Sequence, residues 1–304
     1  MGAAMTDEGP LVSVYMPTRN RVQSLAGAVE SVIAQSYRNF ELVVVNDASA
    51  DETESYLRSK AEMDPRLVLI SNRQPRGAAA SRNIAIQKAK GAFVTGLDDD
   101  DRFLPGRISA FLGYWHLLTM QGLQPACLYA QDICIDDGIR HSVTSKRSSV
   151  TADQLLDYNY IGNQVFAPRQ HFIDAGLFDA NMPAWQDLDF LIRLLRRYGT
   201  AHLLDLPTYS FDVTMRPDRI SVQAHKIRKA FEQIALKHGN HPGSRRSLFL
   251  QMFQQGYDLS PGVKDWFLFL SWKGFPKGVL RMLRASLRPP SVRPACSGDV
   301  LGDN

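Results

Sequence analysis

Cysteines and long apolar runs are both scarce in this sequence of 304 residues. Its three cysteines, Cys127, Cys134 and Cys296, form no C-x-x-C pair, which argues against a zinc ribbon and against a disulfide-rich scaffold. No stretch reaches the roughly 18 consecutive apolar residues that span a bilayer, and the N-terminus lacks the basic and apolar regions of a secretory signal. We therefore expect a cytoplasmic protein.

Glycine-rich phosphate loops are also missing. The sequence contains neither G-x-x-x-x-G-K-[ST] nor G-x-G-x-x-G, which disfavours a P-loop NTPase and a dinucleotide-dependent dehydrogenase. The seven histidines show no H-E-x-x-H spacing, so an isolated histidine such as His171 is expected to be structural. The net charge of +4 is modest, and nucleic acid is not an expected partner.

The composition is that of a soluble globular protein, with 44% hydrophobic and 22% charged residues. The length allows one large α/β domain with an appendage. We expect a flexible N-terminus at 1–10, the α/β domain at 11–222, a helical extension rich in basic and aromatic residues at 223–288, and a disordered tail at 289–304.

Short β-rich runs alternate with amphipathic helical segments between Leu11 and Leu97, which predicts βαβ units and a mostly parallel sheet. Polar segments follow three of the predicted strands, at 17–20, 46–49 and 98–101. Since ligands of open α/β sheets bind outside the carboxyl ends of the strands, these segments predict one binding crevice. Further along, Asp136-Asp137-Gly138 predicts a hairpin turn, and Thr151-Ala-Asp-Gln154 predicts the start of a short helix.

The third polar segment consists of four successive aspartates, Asp98 to Asp101. Adjacent carboxylates repel one another, and a cation relieves that repulsion; hard oxygen ligands suit Mg²⁺ or Mn²⁺. A solvated turn that caps the helix beginning near Pro105 is the alternative interpretation. The other two polar segments favour the metal site.

Five linked motifs resemble the family 2 glycosyltransferases. They are Val12–Asn20, Ala28–Tyr37, Phe40–Ser49, Arg76–Gly77 with Ser81–Asn83, and Lys90–Gly91 with Leu97–Asp101. The resemblance implies a GT-A fold, in which helices flank a mixed, mostly parallel sheet. It also implies inverting transfer of a sugar from a nucleoside diphosphate donor, assisted by Mg²⁺ or Mn²⁺.

The resemblance implies site residues as well. The implied nucleotide-sugar site consists of Pro17, Thr18, Arg19, Asn20, Asp47, Arg76, Asp98 and Asp99. Within this site, Asp47 and Arg76 face the base, and Asp98 lies near the ribose and the metal. Asp100 matches the direct metal ligand, with Asp98 beside it.

The acceptor hydroxyl needs a base, because it is a poor nucleophile until its proton is removed. Trp185–Arg193 resembles the family segment that supplies this base, and Asp187 matches the catalytic carboxylate, although Gln186 replaces the usual glutamate before it. Asp189 lies about 200° further around a helix, so only one of these aspartates can point at the donor. The alternative for Asp187 is a carboxylate that only stabilises the helix N-terminus.

Two later segments have more than one interpretation. In 215–221, Arg216 or Arg219 either contacts phosphate or belongs to a solvated loop, and Asp218 stands where relatives often carry histidine. In 264–288, aromatic and basic residues either lie in an anionic membrane interface or dock the extension onto the domain or a dimer partner.

The sequence thus predicts an inverting, metal-dependent glycosyltransferase that moves a sugar from a UDP- or dTDP-linked donor to a glycan or lipid-linked glycan, in lipopolysaccharide or other surface polysaccharide biosynthesis. Membrane contact would place it on the inner face of the inner membrane. The alternatives are a non-catalytic nucleotide- or glycan-binding protein on the same fold, and a nucleotidyltransferase. The sequence does not determine the donor sugar, the linkage or the oligomeric state.

Overall fold

A computed structural model describes residues 9–136, 138–213, 223–254, 257, 259–272 and 276–287. Residues 1–8 of the expected flexible N-terminus and the expected tail at 289–304 lie outside the described residues, as does the segment with Arg216, Asp218 and Arg219. The first described residues are held in place. The carbonyl oxygens of Gly9 and Pro10 accept hydrogen bonds of 2.6 Å from side chains of the segment between the first helix and the second strand.

The elements alternate as expected over the first hundred residues. The strands are β1 Val12–Thr18, β2 Phe40–Asn46, β3 Leu67–Ser71, β4 Phe93–Gly96, β5 Arg102–Phe103, β6 Cys127–Asp136, β7 Ile139–Val143, β8 Ser149–Val150, β9 Phe166–Pro168 and β10 Ala201–Asp212. The helices are α1 Val22–Ile33, α2 Thr53–Met63, α3 Ala78–Lys88, α4 Arg107–Met120, α5 Ala152–Leu155, α6 Arg169–Asp174, α7 Gln186–Tyr198, α8 Ala224–His238, α9 Pro242–Gln251, α10 Val263–Ser271 and α11 Pro276–Ser286.

One mixed sheet organises the molecule, in the order β3-β2-β1-β4-β9-β6-β10-β5, with β7 paired to β6 and β8 paired to β10. Strands β1 to β4 pair in parallel, β9 runs antiparallel to β4 and β6, and β10 returns parallel to β6. The predicted hairpin is formed by β6 and β7, and the predicted capping box of Thr151 and Gln154 begins α5. The expected α/β fold with a mixed, mostly parallel sheet is confirmed.

Apolar side chains cover both faces of this sheet. Every residue of β1 and β2 is buried, as is typical of central parallel strands with helices on either side. Val14 and Met16 of β1 pack into a cluster with α1 and α4, whereas Tyr15 between them packs into a second cluster with α3 and α7. The sheet is therefore the middle layer of three.

The parallel pairing brings the ends of β1, β2 and β4 to one edge. Thr18 of β1 lies opposite Asn46 of β2, and Tyr15 lies opposite Gly96 of β4. The polar segments that follow these strands therefore emerge side by side, as the sequence predicts.

The C-terminal helices α8 to α11 extend the second of these cores. Phe249, Phe269, Met282 and Ala285 are buried in the same apolar cluster as the sheet residue Tyr15 and the α7 residue Phe190. Among the residues that the structure describes, no helix is long and apolar enough to cross a membrane.

Candidate active site

A cavity of about 310 Å³ opens at the carboxyl edge of β1, β2 and β4. It is lined by Pro17, Thr18, Arg19, Arg21, Asp47, Gly77, Ala78, Ser81, Arg82, Asp98, Asp99 and Asp100. Seven of the nine residues expected to bind nucleotide or metal are thus brought together. The volume of the cavity is within the range of small-molecule sites. Asn20 and Arg76 are not part of the lining.

Asp47 holds the loop that leads into α3. Its carboxylate accepts hydrogen bonds of 2.8 Å from Asn72 Nδ2 and from the backbone N–H groups of Arg76 and Gly77. Burial opposes ionisation of Asp47, but these hydrogen bonds stabilise its charged form, and its pKa lies below the ordinary value. Arg76 therefore reaches this site through its backbone.

Asn20 connects the loops that follow β1 and β2. Its backbone N–H donates to Ser49 Oγ over 2.9 Å, and its side-chain Oδ1 accepts from the backbone N–H of Ala50 over 2.7 Å. It has a φ of 54°, a left-handed conformation that asparagine tolerates better than most residues. Asn20 shapes the rim of the cavity.

Asp98 is held from two sides. Arg82 Nη2 on α3 and Asn163 Nδ2 each donate to one of its carboxylate oxygens over 2.8 Å. The Arg82 pair is largely shielded from solvent, with side-chain exposures of 14% for Arg82 and 20% for Asp98. Asp98 is therefore fixed in direction at the floor of the cavity.

The three aspartates that follow point to different partners. Thr18 Oγ1 donates to Asp99 over 2.7 Å, and Arg21 Nη1 donates to Asp100 over 3.1 Å. Burial raises the pKa of Asp99 to about 7, and the neighbouring Asp100 adds to the shift. Asp101 is buried away from the cavity, where its carboxylate accepts from Tyr209 Oη over 2.7 Å and from the backbone of Asp212 over 2.9 Å. Asp101 thus joins the aspartate loop to β10.

The residues present suit a divalent cation in a particular way. In the part of the chain that the structure describes, no group of three or more His, Cys, Asp and Glu side chains is arranged to hold a metal by itself. Asp98 and Asp100 nevertheless line the same cavity and offer hard oxygen donors. Mg²⁺ is commonly held by one or two carboxylates together with substrate phosphates and water, and the pair fits that arrangement.

Asp187 lies in the first turn of α7 and is not part of the cavity lining. Asn159 Nδ2 donates to its Oδ2 over 3.1 Å. Burial raises the pKa of Asp187, while backbone N–H groups of the helix N-terminus and the charge of Arg82 oppose that rise. Gln186, which replaces the usual glutamate, donates from Nε2 to the carbonyl oxygen of Met182 over 2.9 Å. The substitution therefore leaves Asp187 free of a second adjacent carboxylate.

The segment from Asn159 to Asn163 joins the two parts of the site. Asn159 contacts Asp187 at one end of the segment, and Asn163 contacts Asp98 at the other. Asn159 also closes the turn on itself, with its Oδ1 accepting from the backbone N–H of Gly162 over 3.1 Å. One short turn therefore sets the separation between Asp187 and Asp98.

Asp189, two residues after Asp187, is fully buried in an ionic network away from the cavity. It accepts from Arg193 on its own helix over 2.9 Å, and from Lys237 and His238 of α8 over 3.2 Å and 2.9 Å. Burial disfavours its charge, but these partners lower the pKa of Asp189 to about 2. Asp189 therefore joins α7 to the C-terminal helices.

The residue before α7 is anchored by the C-terminal region as well. Trp185 has a φ of 58°, unusual for a bulky side chain, and its Nε1 donates to Tyr257 Oη over 2.8 Å. Tyr257 is close enough to Asp187 that the carboxylate helps burial to raise the pKa of the phenol. The turn that aims Asp187 thus depends on a residue 70 positions later in the chain.

Sequence reasoning assigned no role to four residues of this site: Arg21, Arg82, Asn159 and Asn163. Arg82 lies in the Ser81–Asn83 segment of one of the family motifs, and that position was the available signal. Asn159 and Asn163 lie in an irregular segment without periodicity. Their roles depend on which strands flank β9, and the sequence does not indicate that.

Comparison with known proteins agrees with these features. Residues 13–163 match the model of "Glycosyl transferase family 2". A protein of Escherichia coli K12 named as a colanic acid biosynthesis glycosyl transferase, WcaA, is 34% identical over 231 residues, which cover 72% of this chain and 81% of that protein. The Escherichia coli UDP-Glc:alpha-D-GlcNAc-diphosphoundecaprenol beta-1,3-glucosyltransferase WfgD is 36% identical over 98 residues, covering 32% of this chain and 38% of its own.

The fold has a counterpart among solved structures. Residues 1–349 of S. aureus TarS in complex with UDP-GlcNAc superpose with a TM-score of 0.63 at 16% identity, over 90% of this chain and 82% of that one. This likeness extends to the GT-A arrangement of the sheet and its flanking helices. On the family match and the extent of its likeness to WcaA, the chain belongs to glycosyl transferase family 2 and is a glycosyltransferase with a GT-A fold.

Proposed function

We propose that the chain transfers a sugar from a UDP- or dTDP-linked donor to a hydroxyl group of a glycan, with inversion and with the help of Mg²⁺ or Mn²⁺. The observation that carries this proposal is the turn at 159–163, which joins the aspartate loop that would face the diphosphate to the half-buried carboxylate that would activate the acceptor. A site of this kind needs both functions within reach of one anomeric carbon.

The donor would lie along the cavity. Pro17, Thr18 and Arg19 would follow the nucleoside, and Asp47, whose carboxylate is kept ionised by its N–H donors, would meet the base. Asp99 would contribute to the nucleotide side, and Asn20 and Arg76 would act through the loops they hold. Arg21 and Arg82 line the same cavity and supply positive charge for an anionic diphosphate.

Asp98 and Asp100 would hold the metal, which when bound neutralises charge on the departing diphosphate. Asp187 would accept the proton of the acceptor hydroxyl while that oxygen attacks the anomeric carbon from the face opposite the leaving group. A raised pKa favours this role, because a base is most effective when its pKa approaches the working pH. Asn159 would orient the carboxylate through its hydrogen bond to Oδ2.

The acceptor and the location are proposed on other grounds. The relatives named for colanic acid biosynthesis and for a diphosphoundecaprenol-linked acceptor support a surface polysaccharide or lipopolysaccharide intermediate, free or lipid-linked. We place the protein in the cytoplasm and, through contact with an anionic membrane, at the inner face of the inner membrane. We also divide the chain into a catalytic domain at 11–222 and a helical extension at 223–288, the latter serving to brace α7 through Lys237, His238 and Tyr257.

A donor-hydrolysis screen tests the proposal. The full-length protein is incubated with UDP-, dTDP- and GDP-sugars, with Mg²⁺, Mn²⁺ or a chelator, and the released nucleotide is identified. We expect release of a nucleoside diphosphate that depends on the metal and is lost in Asp187→Asn. Equal release with a chelator would refute metal dependence. In a parallel incubation with a nucleoside triphosphate and a sugar 1-phosphate, release of pyrophosphate would instead support a nucleotidyltransferase.

A further inference from the structure

The outer faces of α10 and α11 carry large apolar side chains. On α10 these are Val263, Phe267 and Leu270. On α11 they are Leu280 and Leu283, with Leu287 directly after its end, and the exposures lie between 46% and 82%. Their spacing along each helix is that of a single stripe. Isolated exposed apolar residues are ordinary, but six large apolar side chains on two consecutive short helices form a concentration that soluble monomers rarely expose.

These stripes are not used for attachment to the rest of the protein. Phe269 of α10 and Met282 and Ala285 of α11 face inward and are buried, and Phe269 stacks on Phe249 of α9. The inner faces therefore already attach this segment to the rest of the protein. The outer stripes remain without a partner among the described residues, and the fold gives no structural reason for them to be apolar.

The two helices lie side by side and run in opposite directions. Trp266 Nε1 near the start of α10 donates to Ser286 Oγ at the end of α11 over 3.2 Å. Near the other end, a Cβ atom on Gly278 would fall 2.6 Å from the Phe269 ring, so the helices also approach closely there. We call the two outer stripes, together with the exposed residues beside them, the α10–α11 outer face.

The sequence of this segment is predominantly basic. Between 263 and 288 the sequence contains six basic residues and a single acidic residue, Asp265. Asp265 is buried and paired with Arg228 of α8 through two hydrogen bonds of 2.8 Å, so its charge is neutralised inside the fold. Lys264 and Arg281, by contrast, are exposed beside the apolar stripes. The face combines apolar side chains with net positive charge.

We infer that the α10–α11 outer face binds the surface of an anionic lipid bilayer, with the stripes entering the headgroup boundary and the basic side chains meeting lipid phosphates. Amphipathic helices of this composition lie in the plane of such interfaces. A second copy of the chain is a poorer occupant, because a two-fold contact would bring the same basic residues against each other. The inference concerns a surface distant in sequence from the proposed catalytic residues and does not depend on the reaction.

Vesicle flotation of the full-length protein tests this inference. At low salt we expect co-flotation with vesicles of phosphatidylcholine mixed with phosphatidylglycerol, and none with phosphatidylcholine alone. The variant Lys264→Gln/Arg281→Gln should bind the anionic vesicles about 25-fold more weakly, at about fivefold for each basic residue. The variant Phe267→Ser/Leu283→Ser should lose more vesicle affinity than this, because each substitution removes apolar area that would be buried in the interface. All four positions are exposed, so the fold should be retained.

Matched controls remove the same kinds of side chain elsewhere. Arg38→Gln/Lys88→Gln deletes two exposed charges, and Met63→Ser/Met120→Ser deletes two exposed apolar side chains on α2 and α4. Both controls should float as the wild-type protein does. If the controls and the α10–α11 variants bind equally, or if no form floats, the inference is wrong. A second outcome would also overturn the inference: the wild-type protein does not float, and light scattering shows a dimer that Phe267→Ser/Leu283→Ser dissociates. That outcome would assign the face to self-association.

Discussion

Replacing Asp189 by asparagine should destabilise the fold while leaving the contacts of Asp187 on α7 unchanged. Asp189 has no solvent exposure, and its carboxylate compensates Arg193 from the same helix and Lys237 and His238 from α8. The substitution keeps the shape of the side chain and removes only its charge. Any loss of stability therefore measures the electrostatic connection between α7 and the C-terminal helices.

The size of the effect can be worked from the contacts. Removing one partner of a buried ion pair costs about 3 to 5 kcal/mol. We expect the lower end of this range, because two of the cations have other partners that the substitution does not remove. Lys237 also pairs with Asp179 at 2.5 Å, and Arg193 also donates to the carbonyl oxygens of Ala175 and Leu177. We expect a loss of about 3 kcal/mol, a large fraction of the 5 to 15 kcal/mol typical of natural proteins.

The dependence on pH has a definite sign. The pKa of Asp189 falls from 3.8 to about 2 on folding, so the carboxylate stabilises the folded state fully above pH 3.8, and this stabilisation is lost as the pH falls through about 2. The shift corresponds to about 2 kcal/mol. Asp189→Asn should therefore reduce the difference in stability between neutral and acidic solution.

Urea denaturation followed by circular dichroism measures both quantities. Asp187→Asn is the control on the same helix: burial raises the pKa of Asp187, so its charge costs folding free energy at neutral pH, and removing it should leave the urea midpoint unchanged or higher. A wild-type midpoint for Asp189→Asn would refute the network. So would an equal loss of stability in both variants.

Three further predictions concern the chemistry. Asp187→Asn should bind the donor normally but lower turnover roughly a hundredfold, as for a lost general base, and wild-type turnover would exclude that role. Asp100→Ala should abolish the metal-dependent part of donor affinity with the fold intact; unchanged calorimetric affinity in Mn²⁺ would argue against a metal ligand there. Asn159→Ala should lower kcat more than it raises KM, and should shift the acid limb of the kcat profile to higher pH because a donor to Asp187 is lost. An unshifted profile would leave Asn159 a purely structural part of its turn.

Local sequence patterns were sufficient for much of the fold. The apolar residues of β1 and β2 form runs that are buried on both faces, and the polar segments after them emerge together because parallel strands end at the same edge. This is why Pro17, Thr18, Arg19, Asp47 and the aspartates Asp98 to Asp100 could be predicted to share one cavity, and they do. Asp101, predicted with them, is buried away from it. The family motifs added their expected roles, which a sequence pattern alone does not contain.

Tertiary structure decided what depends on distant segments meeting. Asp187 and Asp189 look alike in the sequence, and their neighbours in the fold make them different. Asp189 accepts from Arg193 on α7 and from Lys237 and His238 on α8, whereas Asp187 is desolvated and accepts from Asn159. Asn159 and Asn163 acquire their contacts because β9 inserts between β4 and β6. Whether an apolar residue of α10 or α11 faces inward or outward was likewise settled by packing.

The sequence by itself determined the elements and the donor-binding edge, because these follow from periodicity and strand direction. Only the fold determined the charge state and aim of the carboxylates, because these follow from neighbours far along the chain.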